Sequence, residues 1–141
     1  MDYREAYEKA LQLLNVRFLS EGELKAKLRR RGVDDDVLED VVAALEGEHF
    51  LDDQRLARDV YRYYARKGQY GHLYIVNRLR RRCLPVPEDV ERPDEYALAG
   101  DLVKRKFSYR DDEARKAARF LQYRGFSPSV IRDVLEDFTV H

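Results

Sequence analysis

The chain has no tryptophan, one cysteine, one methionine, four prolines and seven glycines, and it carries no net charge. Each scarcity removes a class of protein. A lone cysteine, Cys83, cannot close an internal disulfide, and no Cys/His spacing resembles a zinc site. With 27 basic residues balanced by 27 acidic ones, the chain as a whole is no polycation. Bulk attraction to nucleic acid or to an anionic membrane is therefore not implied. No apolar run approaches the roughly 20 residues that span a bilayer. The opening residues, Met1-Asp2-Tyr3-Arg4-Glu5, lack the pattern of a signal peptide. These absences together read as a soluble cytoplasmic protein. No proline occurs before Pro85, and Val, Ile and Thr are too sparse for strands, so helix is the default state.

What remains is charge and short apolar stripes. Of the 141 residues, 38% are charged and 44% hydrophobic, so most faces are solvated and the apolar residues concentrate in narrow bands. Nine helical segments are predicted. The first runs from about Tyr3 to Phe18, with Leu11 and Leu14 on one face. Ser20 opens the second as N-cap, with Glu23 completing a capping box, and Gly32 ends it. A third covers about Asp35 to Leu45. Asp52 or Asp53 caps the fourth, whose apolar face holds Leu56, Ala57, Val60, Tyr63 and Tyr64. Gly71 opens the fifth, with Ile75 and Leu79 inward. A short sixth lies near Pro85 to Glu91, a seventh from Asp94 to Lys106, an eighth from Asp111 to Arg124, and a ninth from Pro128 to Phe138.

These segments repeat. Leu24, Leu28, Arg31, Gly32 and Val33 align with Ala117, Leu121, Arg124, Gly125 and Phe126. The same offset matches Val37, Leu38, Asp40 and Val41 to Val130, Ile131, Asp133 and Val134, and the middle copy reads Ile75, Leu79, Arg82, Cys83, Leu84. The fold class that follows is all-α: three tandem three-helix units, each helix-turn-helix-like, over residues 1–49, 50–93 and 94–141. A single unit of this size buries little surface, so neighbours should stack into an elongated curved array.

Charge is sorted within each unit. Residues 20–31 hold five basic and two acidic residues, whereas 32–48 hold seven acidic and no Lys or Arg. Residues 55–82 hold nine basic against one acidic, and 85–101 one against six. Residues 104–124 hold eight against three, and 125–141 one against three. The second helix of each unit is basic and the third acidic.

The sharpest basic feature is on the fourth helix, where Arg55, Arg58, Arg62 and Arg66 fall within an arc of about 80° at 100° per residue. Such a stripe is either an ordinary solvated face or a binding surface. Arginine without lysine favours planar, bidentate recognition of carboxylate or phosphate. On the fifth helix Tyr74, Asn77, Arg78 and Arg81 face away from Ile75 and Leu79. Lys27 and Arg30 hold the places of Arg78 and Arg81 in the first unit. The third unit breaks the pattern with Phe120 and Tyr123, which are expected to pack against a neighbouring helix. Tyr61, Tyr63, Tyr64, Tyr70 and Tyr74 cluster in the middle unit, most with a buried ring and a wet hydroxyl. Asp52 and Asp53 read as N-cap and helix-dipole partner rather than a catalytic pair. His49, His72 and His141 read as surface or boundary residues. No nucleophile, general base or phosphate-binding loop accompanies them, so neither an enzyme nor a cofactor or metal is expected.

Phe50-Leu51-Asp52-Asp53, then Leu56-Ala57, then Gly71, Ile75 and Leu79 resemble the second-repeat signature of the RecX family. Ala10-Leu11, Leu14, Arg17, Ser20, Glu23-Leu24, Leu28 and Gly32 resemble its first repeat. The likeness covers about residues 5–138 and rests on order and spacing, with Asp52, Asp53, Ala57, Gly71, Gly32 and Gly125 as its structural marks. It implies a monomeric modulator of the RecA recombinase that lodges in the groove of the RecA–DNA filament and restrains strand exchange. Some members also bind DNA. The second reading is a direct DNA-binding protein using the basic second helices. One residue departs from the family: Cys83 stands where glycine is usual. A non-glycine residue in a left-handed cap is disfavoured by about 1 kcal/mol, so the turn before Pro85 is where local geometry is in question.

Overall fold

In the computed structural model, which describes residues 1–107 and 113–140, the described residues form eight α-helices and no strand. They are α1 (Tyr3–Val16), α2 (Glu21–Arg30), α3 (Asp35–Gly47), α4 (Asp53–Arg66), α5 (His72–Arg81), α6 (Glu95–Lys106), α7 (Ala114–Tyr123) and α8 (Pro128–Val140). Asp111, the expected start of the eighth segment, lies outside the described residues, as does His141. The expected sixth segment does not form a helix. Residues 85–94 run through irregular backbone with a bend at 88–90, because Pro85, Pro87 and Pro93 each remove an N–H donor and push the preceding residue out of the helical region. The middle repeat therefore keeps only its first two helices.

The chain divides into two compact units, residues 1–59 with 79–87, and the described residues of 60–78 with 88–140. In the first, α1, α2 and α3 enclose Ala6, Ala10, Leu24, Leu28, Leu38, Val41 and Leu45. Leu24 and Leu28 sit one turn apart on α2 and are fully buried. Burying a leucine contributes about 1.5–3 kcal/mol. Ser20 caps α2 as the sequence implies: its Oγ accepts from the Glu23 N–H, and Glu23 accepts from the Ser20 N–H at 2.9 Å. In the second unit α6, α7 and α8 close over Ala99, Leu102, Val103, Ala117, Leu121, Phe126 and Val134.

The same turn ends α2, α5 and α7. The N–H of Val33 donates to the Leu28 oxygen, that of Leu84 to Leu79, and that of Phe126 to Leu121. Gly32, Cys83 and Gly125 occupy the left-handed position, with φ of +87°, +59° and +85°. Cys83 thus adopts the conformation its glycine counterparts use, and the turn is preserved despite the Cβ.

Two of these turns each receive the start of another helix. In the first unit the Ser20 hydroxyl donates to the Arg82 oxygen at 2.5 Å, while the Arg82 guanidinium reaches back to the Phe18 oxygen at 2.8 Å and to Glu23 at 3.1 Å. In the second, the Gly71 N–H donates to the Arg124 oxygen at 2.8 Å and the Leu73 N–H to the Gly125 oxygen at 3.2 Å. The Arg124 guanidinium reaches back to the Gln69 oxygen and, at 2.8 Å, to its side-chain Oε1. Both docks need a missing side chain. A Cβ on Gly71 would lie 2.5 Å from the Gly125 oxygen, and one on Gly22 would lie 2.7 Å from the Cys83 Cβ.

Candidate functional site

The arginine face follows from how α4 is anchored. Asp52 is its N-cap, accepting from the Arg55 N–H at 3.1 Å. Asp53 turns instead to α2, accepting from the Glu21 N–H at 2.9 Å. Burial, together with the nearby charges of Glu21, Asp52 and Glu23, raises the Asp53 pKa against the hydrogen bond that opposes it. The aspartate pair is thus one cap and one link between helices.

Along α4, Ala57 and Tyr61 are buried and Leu56, Val60 and Tyr64 half-buried. Tyr63, expected on the apolar face, is 56% exposed, and Tyr61, not expected there, is fully buried. The helical wheel explains the exchange: at about 100° per residue Tyr61 lies roughly 40° from Ala57, whereas Tyr63 lies roughly 40° from the exposed Asp59. Opposite the buried side, Arg55, Arg62 and Arg66 are exposed, and their guanidinium groups meet no carboxylate among the described residues. Arg58 shares the stripe but is half-buried and has interactions of its own. Arg55 and Arg58 belong to the first compact unit, Arg62 and Arg66 to the second.

On the other second helices the outward residues divide. Lys27, Arg30 and Arg81 are exposed, as the repeat implies. Arg78 is not: it lies half-buried, donates to the Tyr74 hydroxyl at 2.7 and 3.1 Å, and covers the rings of Tyr74 and Tyr64. It belongs to a cluster that residue order alone does not assemble. Tyr70 and Tyr74 stack with ring centroids 3.9 Å apart and planes 5° from parallel, and Tyr64 presents its edge or face to both. Arg124 lies over Tyr70 at 5.6 Å and over Phe120 at 4.9 Å. Lys106 lies over Phe120 at 4.4 Å, and Lys67 over Tyr63 at 4.7 Å. The signal in the sequence is the run of tyrosines between 61 and 74. What that run does not contain is Lys106 and Arg124, which come from α6 and from the turn after α7.

The cluster has an electrostatic signature. Burial disfavours ionisation of Tyr74, but hydrogen bonds from Arg78 and Tyr70, with the charges of Arg78 and Arg124, outweigh it and lower its pKa. The hydrogen bond to Tyr74 and burial raise that of Tyr70. Phe120 packs into the core of its unit against Phe107, as expected for a large ring, but Tyr123 does not: it is 84% exposed. Position 123 lies about 200° from Leu121 on the α7 wheel, opposite the buried side.

His72 is a boundary residue with a defined role. Its Nδ1 shares a hydrogen bond with the Tyr61 hydroxyl at 2.9 Å, and its N–H donates to Glu95 at 2.9 Å. His49 is exposed and takes a left-handed φ of +66° after α3. Among the described residues no group of three His, Cys, Asp or Glu could hold a metal ion, and no helix is long and apolar enough to cross a membrane.

The comparisons agree with this architecture. Residues 6–45 match the family model described as the first three-helix domain of RecX, and residues 93–135 match that of the third. The regulatory protein RecX of Prosthecochloris aestuarii is 32% identical over 143 residues, covering 96% of this chain and 95% of the relative. That of Geobacillus kaustophilus is 29% identical over 153 residues and covers 99% of this chain, which spans only 56% of the longer relative. The crystal structure of RecX from Lactobacillus salivarius shares the fold with a TM-score of 0.79 at 22% identity, covering 99% of this chain and 98% of that one. With both flanking three-helix domains matched and a relative aligned end to end, the chain belongs to the RecX family of regulatory proteins.

Proposed function

We propose that this chain is a non-enzymatic regulator that binds the RecA–DNA filament as a single copy, seats itself in the filament groove, and restrains the recombinase in recombination, repair and the SOS response. Family membership supplies the regulatory role; the filament as target and inhibition as outcome are our reading. The observation that carries it is the exposed row Arg55, Arg62 and Arg66, whose charges no carboxylate neutralises among the described residues. Guanidinium groups left in this state suit planar acceptors on a second molecule, whether carboxylate or phosphate. Basic second helices followed by acidic stretches, in α3, in the non-helical residues 85–94 and in α8, suit a periodic partner that presents both signs of charge.

The test replaces Arg55, Arg62, Arg66 and Arg81 with alanine and measures binding to RecA filaments on single-stranded DNA, with the bare strand in parallel. Exposed charge pairs contribute about 0.2–1 kcal/mol each, so the four changes together should weaken filament binding by one or more orders of magnitude while single changes do little. Binding by the unaltered chain should fall as salt rises. Unchanged binding to the filament would leave the row as a solvated face and remove the proposal.

The second reading, direct DNA binding, is favoured by the ring and cation cluster. Arg78, Arg124, Lys106 and Lys67 all lie against aromatic faces, a combination that single-strand binders use for bases and phosphates. Loss of bare-strand binding in R78A or K106A with filament binding intact would support it.

A further inference from the structure

Four positions of the repeat, two on each helix of the pair α2 and α3, recur on α7 and α8 with different residues. Between α2 and α3, Lys25 pairs with Glu39 at 3.0 Å and Arg29 with Asp35 at 3.1 Å. Leu38, beside Glu39, is fully buried. The counterparts are Ala118 with Arg132 and Gln122 with Pro128, so neither ion pair can form. Ile131, in the place of Leu38, is only half-buried. A groove of about 510 Å³ lies there instead, bounded by α5, α7 and α8 and wholly within the second compact unit. Its apolar surface comes from Leu73, Tyr123, Phe126, Pro128 and Ile131, with Leu73 48% and Tyr123 84% exposed. The carboxamides of Asn77 and Gln122 lie along it, and Arg132 is the one charged residue among those that line it. From this we infer that the groove is a docking site for a peptide segment of another protein, one that carries a large apolar side chain next to an aspartate or glutamate.

The lining specifies each part of that occupant. In a chain with 38% of its residues charged, the groove leaves apolar surface in water that a large aliphatic or aromatic side chain would cover. A carboxamide carries both donor and acceptor, so Asn77 and Gln122 can each match a main-chain N–H or C=O of an incoming peptide. Arg132 touches only Asp133 among the described residues, at 3.9 Å, with the two side chains 70% and 56% exposed. So loose a pair leaves the guanidinium able to take a carboxylate side-on. A nucleic-acid strand suits the same surface poorly. It brings a phosphate with every nucleotide, and the groove meets it with one arginine that has Asp133 beside it. The groove shares no residue with the row Arg55, Arg62 and Arg66. The inference therefore goes beyond the function proposed above and stands whether or not the partner is the RecA filament.

The test titrates short capped peptides into the isotope-labelled protein and follows its amide signals. The probe has leucine or phenylalanine flanked by glutamates. Its controls exchange the glutamates for glutamine or lysine, or the apolar residue for serine. The glutamate probe should shift the Gln122, Tyr123, Ile131 and Arg132 signals and bind about fivefold more tightly than the glutamine form, as an exposed ion pair allows. The serine form should leave the signals still. R132E should reverse the order, so that the lysine form binds best. A118K together with R132E installs the Lys25–Glu39 pair of the first unit at the matching place in the second, and it should abolish binding of every form. Both altered proteins should melt close to the unaltered chain, since the changes lie at the surface. Shifts that ignore peptide charge, binding that survives the double variant, or no shift at millimolar glutamate probe overturn the inference. So does a thymidine oligonucleotide that moves the same signals more strongly than any peptide. Self-association of the unaltered chain that the double variant abolishes would overturn it too, because the groove would then belong to a second copy.

Discussion

The Arg82 guanidinium donates to the Phe18 main-chain oxygen at 2.8 Å, across 64 residues of chain. It also meets Glu23 at 3.1 Å, and with only 24% and 20% of the two side chains exposed this pair is better shielded than an ordinary surface ion pair. Burial alone would raise the Glu23 pKa, but the Arg82 hydrogen bond and charge, the Ser20 N–H and Arg17 reverse it and hold it below its ordinary value. One arginine thereby secures the carbonyl ahead of α2 and the carboxylate inside its capping box.

Replacing Arg82 should therefore unseat the start of α2. Hydrogen bonds from charged groups contribute about 1.5–3 kcal/mol, and R82A is expected to lose about that much in urea unfolding. R82K should recover less than half of it, because an ammonium cannot serve both acceptors in the same geometry.

Two glycine-to-alanine changes should move stability in opposite directions. At Gly71 a methyl would meet the Gly125 oxygen at 2.5 Å, the Gly125 carbon at 2.7 Å and the Phe126 Cα at 2.9 Å. All three are backbone atoms that cannot swing aside, so G71A is expected to lower stability by about 1–3 kcal/mol. Gly100 lies inside α6, where a methyl would point into open space, and G100A should raise stability by up to about 1 kcal/mol through helix propensity. Thermal melts of the two variants check both signs.

The pH dependence should carry a histidine contribution. Burial lowers the His72 pKa below its ordinary value, and Arg92 adds to this against Glu95. The folded chain therefore favours the neutral ring. The stability it contributes is complete above the unfolded value of about 6.5 and falls as pH drops from there toward the lower folded value, where the unfolded chain binds the proton first. Melting temperatures from pH 7.5 to pH 5 should decline less steeply in H72Q than in the unaltered chain. Equal slopes would show that His72 contributes nothing.

Much of the framework is legible in residue order. The capping box at Ser20 and Glu23 and the glycine turns at Gly32 and Gly125 are local devices, and local devices leave local signatures. The buried pair Ile75 and Leu79 is equally legible from spacing. The exchange of Tyr61 for Tyr63 also has a local answer. Residues two apart on a helix sit about 160° from each other by the shorter way round, so with Ala57 inward only Tyr61 can follow it. The sixth segment fails because Pro85 and Pro87 lie inside it, each removing a donor and constraining the residue before it, with Pro93 close behind. The cation and ring cluster is out of reach for a different reason: Arg124 and Lys106 meet Tyr70 and Phe120 only through tertiary packing. The internal docks are hidden too, since nothing in Arg82 or Arg124 alone says which distant carbonyl each will find.

The left-handed Cys83 has an evolutionary corollary. Its Cβ fills the space that a side chain at position 22 would require, so the two sites cannot change independently. Alanine at 22 is tolerable once 83 is glycine, and harmful while 83 is cysteine. Substitution at 22 is therefore expected to follow or accompany loss of the Cys83 side chain, and G22A should cost less stability beside C83G than beside cysteine.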